Sequence, residues 1–305
     1  MSSVGRDGEQ GLGRLMAAVS TVRIPDKVRA VVQAEPGDPA PGQLWRARWG
    51  EIVELLLITE VDVSAVAMPV MLDDCVADAR TLVLAADQTS LAVTLAVWMD
   101  LARHLPMYIL DRQIGTVAVD VSRSGWESDA IAGGARYGSG PVSAADPRHE
   151  VRARLEDAMR EFAEAKWAPS GSGDLARLMA AASLSPQRLI DAMGISPQRA
   201  LALRRGQVAV DDAEARVLAP LLGITEEAVL EANASPPAAL VVQLSRPRRR
   251  AQVMRLARKR GISEHSAWLA ATYGVNAQAA RQTGKSQDPG WEERIDRYFQ
   301  VTLEN

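Results

Sequence analysis

Two segments of this chain repeat one another eleven residues apart: Leu184-Ser185-Pro186-Gln187-Arg188 and Ile195-Ser196-Pro197-Gln198-Arg199. Each reads as the start of a helix. Ser at the N-cap accepts a hydrogen bond from an orphan backbone N–H, and Pro at the first helical position loses none of its own. Gly194 stands just before the second start, where a left-handed stop ends a helix cheaply. The spacing therefore predicts a helix of about two turns over Pro186–Met193, a glycine turn, and a second capped helix. Leu189, Ile190, Met193, Ile195, Ala200 and Leu203 supply an apolar seam that locks the two at an angle. Two short helices joined this way form a helix-turn-helix.

The flanking sequence extends the pattern to five helices: Leu175–Ala182, Ser185–Gly194, Ser196–Gly206, Ala213–Leu222 and Thr225–Ala232. Residues 174–233 thereby resemble the Cro/repressor-type (XRE) helix-turn-helix family, with one departure. Ile190 stands four before the turn glycine, where that family has a small residue. The resemblance implies a double-stranded DNA partner, with the third helix in the major groove. It places Gln187 and Arg188 on the backbone, Ser196, Gln198 and Arg199 at base edges, and Arg204 and Arg205 on phosphate. The stretch 172–235 nevertheless carries eight acidic and six basic residues. A non-DNA, protein-binding scaffold stays open.

Charge is unevenly spread along the 305 residues, whose net charge is −3. Residues 42–120 hold 11 acidic and 5 basic side chains; residues 236–285 hold 1 and 10. Arg246, Arg248, Arg249, Arg250, Arg255, Arg258, Lys259 and Arg260 fall within fifteen residues that include no acid. Unmixed charge repels itself and calls for an anionic partner, either nucleic acid or an acidic protein surface such as the front of this chain. Ser263–Thr283 repeats the earlier logic, with Ala270 four before Gly274 and Asn276 as a cap. It reads either as a second helix-turn-helix presenting Asn276, Gln278 and Arg281 or as an ordinary helical hairpin. Trp291–Phe299 reads as an amphipathic closing helix, suited to dimerisation through Ile295, Tyr298 and Phe299.

The front half is different in kind. Gln43–Trp49 alternates, Glu51–Glu60, Ser64–Leu72 and Thr81–Leu84 are β-rich apolar runs, and Leu91–Trp98 and Met107–Leu110 complete the set. Five or six short strands in under eighty residues suggest a small closed barrel. Pro41-Gly42-Gln43-Leu44-Trp45 and Leu110-Asp111-Arg112-Gln113-Ile114-Gly115-Thr116-Val117 resemble the PemK/MazF family, an SH3-like barrel whose active members cut RNA. That resemblance places Val53-Glu54 where those members carry Arg-Pro, and Met71 at their hydroxyl position. Neither supplies the cation or the proton carrier that cleavage needs. The Gly- and Ser-rich stretch 121–148 reads as a linker, 149–168 as an amphipathic connecting helix, and 1–40 as a helical segment. Asp73, Asp74 and Asp78 beside Cys75 read as a solvated acidic loop.

Several classes are excluded. The apolar runs are far shorter than the ~20 residues a membrane helix needs, and Met1–Gly13 has no signal-peptide core. One cysteine and three scattered histidines favour neither disulfide nor metal site, and the glycines make no nucleotide-binding pattern. The expectation is a cytoplasmic, multidomain α+β protein: an N-terminal SH3-like β-barrel, domain 41–120, then an all-α half with helix-turn-helix domain 172–235 and basic domain 236–305. Its expected function is that of a DNA-binding transcription regulator, dimeric, without cofactor, metal or catalytic residues, and with a barrel that engages a protein partner or senses a ligand. The alternatives are a toxin–antitoxin relative with an RNA-cleaving barrel, and an adaptor whose helical half binds protein.

Overall fold

The alternation in Gln43–Trp49 makes a strand, β1, whose two faces enter different cores: Leu44 goes to one, Trp45 and Ala47 to the other, all fully buried. The protein is described by a computed structural model over residues 36–140, 146–281 and 290–304. Most of the expected N-terminal helical segment, up to residue 35, lies outside the described residues. Strand β2 (Ile52–Val61) returns through the two-residue turn Gly50-Glu51, with Trp49 paired to Ile52. Gly50 has φ +54°, a conformation that costs a residue without Cβ little. Leu56 and Ile58 join Trp45, and Leu57 joins Leu44. A strand covered on both faces reads as an unbroken apolar run, as Leu55–Ile58 does.

Strand β3 (Ala65–Met71) pairs with β2 along one edge. β4 (Thr81–Leu84) pairs with β5 (Leu95–Trp98). The other edge of β3 is shared, its last residues pairing with β5 and its first with β6 (Arg103–Leu105). β7 (Leu110–Thr116) lies on β1, so with β8 (Arg136–Tyr137) at the far edge the antiparallel order is β7-β1-β2-β3-β5-β4-β8, with β6 on β3. A lone bridge, Thr89 to Val117, ties the segment after β4 to the end of β7. Met107–Ile109, expected as strand, is a 3₁₀ turn leading into β7.

The stretch expected as a linker carries structure. Helix α1 (Trp126–Ala132) seats Trp126 and Ala130 in the core of Leu44, Leu57 and Val97, and strand β8 (Arg136–Tyr137) pairs with β4. One of its glycines marks a close approach rather than a turn. A Cβ on Gly138 would lie 2.4 Å from the Asp78 carbonyl oxygen. Helix α2 (Pro147–Glu164) follows, capped by Asp146, which accepts from the Arg148 backbone N–H at 3.0 Å.

Five helices then match the expected ones to within about two residues: α3 (Leu175–Ala181), α4 (Pro186–Met193), α5 (Pro197–Arg204), α6 (Asp212–Leu222) and α7 (Glu226–Glu231). They enclose their own core around Met179, Leu189, Ala200, Leu203 and Leu218. Backbone bonds pinch the bundle's two ends together: Ser172 N–H donates to Glu231 and Leu175 N–H to Ala232. Only glycine fits at 171, where a Cβ would stand 1.9 Å from the Glu231 oxygen.

The remaining helices, α8 (Ala238–Leu244), α9 (Pro247–Arg260), α10 (Glu264–Arg281) and α11 (Trp291–Glu304), do not form a separate domain. Leu240, Leu256, Trp268 and Phe299 share one core with Trp45, Ile58 and Ile109 of the sheet, and residues 36–305 are one compact unit. Two expectations fail here. The second helix-turn-helix is absent, because α10 runs unbroken through Gly274. That glycine admits the ring of Tyr298, whose Cε2 would lie 2.4 Å from a Cβ. The closing helix α11 buries Ile295, Tyr298 and Phe299 within the chain, so these residues offer no dimer face. Among the described residues no helix is long and apolar enough to cross a membrane.

Candidate nucleic-acid interface

The geometry of α4 and α5 follows from the repeated cap. Ser185 Oγ accepts from the Arg188 N–H at 3.1 Å, and Ser196 Oγ from the Arg199 N–H at 3.2 Å. Pro186 and Pro197 hold the first helical positions, and Gly194 turns the chain at φ +64°. These constraints point the start of α5 outward, and Ser196, Pro197 and Gln198 are exposed.

The residues expected to contact a duplex separate into three groups. Gln198, Arg188, Arg204 and Arg205 are exposed, and none of their side chains has a hydrogen-bond or ion-pair partner among the described residues. Gln187 is exposed but donates to Asp191 Oδ1 at 2.8 Å, and the Ser196 hydroxyl is engaged as the cap. Arg199 departs most from expectation. Its Nε and Nη2 each lie 2.6 Å from a Glu214 oxygen, and Nη2 also donates to the Ala209 carbonyl at 3.2 Å. A guanidinium held by both oxygens of a carboxylate is not free to read guanine.

Sequence reasoning missed Leu201. An apolar residue on a short helix is ordinarily assigned to the core, yet Leu201 is 43% exposed. Its place three residues after Gln198 puts the two on one helix face, and that spacing is the signal that could have found it. An exposed apolar side chain there suits the methyl group of thymine.

The arginine run shows the opposite behaviour. Arg246 pairs with Asp38 at 3.3 Å and Arg248 with Glu292 at 2.5 Å. Arg249, 2% exposed, bonds Asp296 and Gln252. Arg250, 3% exposed, pairs with Glu264 at 2.7 Å and donates to the carbonyls of Arg48, Tyr108 and Ile109 at 2.7–3.0 Å. Arg249 and Arg250 therefore serve as internal ties between α9, α10, α11 and the sheet, and the phosphate contacts expected of these two are corrected. The physical reason is that a buried guanidinium is tolerated when most of its donors are met, and Asp296, Gln252, Glu264 and three backbone carbonyls meet them, with Arg249 Nε left without a partner. Arg246 and Arg248 stay half-exposed, drawn to Asp38 and Glu292. Arg255 and Arg258 are exposed near the end of α9, where Arg258 Nε donates to the Met254 carbonyl at 3.3 Å. Asn276 and Gln278 lie half-buried within α10, so Asn276 caps nothing. Arg281 is the last residue of that helix, and its side chain lies outside the described residues.

On the sheet, Glu54 and Met71, expected from the PemK/MazF resemblance at or beside catalytic positions, converge on Arg154 of α2. Arg154 pairs with Glu54 and approaches Met71 Sδ at 3.9 Å. Burial pushes the Glu54 carboxyl up, against the pull of Arg154. The acids near Cys75 are taken up locally: Asp73 caps the Cys75 N–H, Asp74 pairs with Arg136 at 2.6 Å, and Asp78 pairs with Arg152 at 2.8 Å. No protein-family model, curated protein or solved structure matches this chain.

Proposed function

We propose that the α3–α7 bundle is a helix-turn-helix that reads duplex DNA, and that the protein is a transcription regulator. One observation carries the reading. Among the described residues more than half of the arginines pair with an acid, whereas Arg188 in the first turn of α4 and Arg204 and Arg205 at the end of Gln198's helix stand exposed without a side-chain partner. In this reading Gln198 and Leu201 face base edges, Arg188, Arg204 and Arg205 neutralise phosphates, and Arg199 holds the shape of the reading helix. The sheet, curled as an SH3-like barrel, serves as a non-catalytic domain. The Glu54–Arg154 pair supports that role, since Val53 stands at the position expected to carry the cleaving cation and the nearby Arg154 guanidinium is held on a carboxylate. The active form is a homodimer, because one such module buries too little surface for useful affinity.

The test is selection from random duplexes by the full chain, followed by a salt titration of the winner. Binding is expected to weaken steeply between ~50 and 200 mM salt, with a slope that falls by roughly 3 in the Arg188→Ala/Arg204→Ala/Arg205→Ala variant. No enrichment of any duplex, or an unchanged slope in the triple variant, overturns the reading and leaves the bundle as a protein-binding scaffold.

A further inference from the structure

A cavity of about 520 Å³ opens where the β1–β2 turn, the segment after α2, and the starts of α6 and α10 meet. Its size is that of a small-molecule site. Three tryptophans line it: Trp49 from the turn, Trp167 after α2, and Trp268 of α10. Trp167 and Trp268 are stacked with ring centroids 4.6 Å apart, and Tyr108 meets all three edge-on at 5.5–6.5 Å. Trp167 and Trp268 are each 2% exposed, whereas Trp49 is half-buried and keeps ring surface open.

The polar lining is biased toward donors. Arg48 and Lys166 come from different elements. Of the acids beside them, Glu264 accepts from both Arg48 and Arg250 at 2.7 Å, and Asp212 is largely exposed, 3.6 Å from His265 Nδ1. Arg48 Nε is buried without a hydrogen-bond partner, 4.0 Å from Asp111, a carboxylate already held by Arg46. A buried polar group left unpaired costs free energy, and such groups in folded proteins call for an explanation. This N–H can only donate, so what would satisfy it is an acceptor.

We propose that this cavity binds a flat aromatic acid of one or two rings. Its ring lies against Trp49, and its acidic oxygens accept from Arg48 and face Lys166. The site is separate from the exposed face of α5, and the proposal stands whether or not the bundle binds DNA.

The test uses the full chain titrated with 2-naphthoate, followed by calorimetry and by tryptophan emission. Saturable binding with a stoichiometry of one per chain is expected. Trp49→Ala should weaken it about tenfold, and Lys166→Ala by a smaller factor. Lys166 is exposed, whereas Trp49 packs on the core and against Tyr108, so the unfolding midpoint of each variant is measured alongside and binding is compared where both are folded. The neutral isostere 2-naphthamide should bind at least about tenfold more weakly than the acid. No saturable binding of 2-naphthoate overturns the site. Equal binding by parent and Trp49→Ala overturns its location, and equal binding of acid and amide overturns the ligand class.

Discussion

Two sets of arginines in this protein have opposite fates. Arg246, Arg248, Arg249 and Arg250 form the densest positive run in the sequence, and all four are tied to acids of the same chain. Arg188, Arg204 and Arg205 are thinly spread in a stretch of net negative charge, and they stand exposed without partners among the described residues. Local charge density thus misjudges which cations can reach a polyanion. What decides is whether folding brings a carboxylate within reach. Helix α9 lies between α10, α11 and the sheet, each of which supplies acceptors. The outward side of α5 has no neighbour among the described residues to supply them.

The largest expected effect separates the two sets through stability. Arg250→Ala removes one of the two cations held by Glu264 and leaves three backbone carbonyls without their guanidinium donor, and should cost ~3–5 kcal/mol in urea unfolding. Arg204→Ala should stay within ~0.5 kcal/mol. Equal losses would erase the distinction.

A second contrast lies within α5 itself. Arg199→Ala removes a charge-assisted, two-pronged bond to Glu214, and should cost ~1.5–3 kcal/mol of stability while leaving the selected DNA sequence unchanged. A preference altered at a guanine would mean that Arg199 leaves Glu214 on binding. Gln198→Ala should do the reverse, leaving stability alone and relaxing one position of the bound sequence by ~1–3 kcal/mol. If the sequence logo is the same with and without Gln198, another residue does the reading.

The smallest effect concerns how the bundle is seated. The Tyr273 hydroxyl on α10 donates to the Ala234 carbonyl at the end of the bundle, and burial pushes its pKa up to about 12. Because the folded value is raised, this contribution is complete below the ordinary tyrosine pKa near 10 and is lost as pH rises toward about 12. Tyr273→Phe should cost about 1 kcal/mol at neutral pH and flatten the alkaline loss. A Phe variant with the parent's alkaline unfolding profile would show that Tyr273 carries none of it.

Much of the fold was readable in local pattern. Caps at Ser185 and Ser196, the glycine turn at 194 and the alternation in β1 are decided within a few residues, and the strands and bundle helices appear close to where those signals put them. Gly274 and Gly138 show the limit. A glycine signals that no side chain is wanted, but not whether the cause is a turn or a neighbour pressed close. Tyr298 and the Asp78 backbone are those neighbours, distant in sequence from the glycines they touch. Trp126 was masked in the same way by the small residues around it. The candidate interface was legible in part: Arg188, Gln198, Arg204 and Arg205 were named from position, whereas the Arg199–Glu214 pair depends on how α6 packs against α5.

The sequence by itself determined the short-range features: capped helix starts, a two-faced strand core, and a chain divided into a strand-rich front and a helical back. Those features depend on residues a turn or a strand apart, whose geometry follows from backbone sterics and hydrogen bonding. Only the tertiary structure decided which arginines are occupied, that the basic helices share a core with the sheet, and that three tryptophans from separate elements wall one cavity. Each of these depends on pairs tens to hundreds of residues apart, and no local pattern records whether such a pair meets.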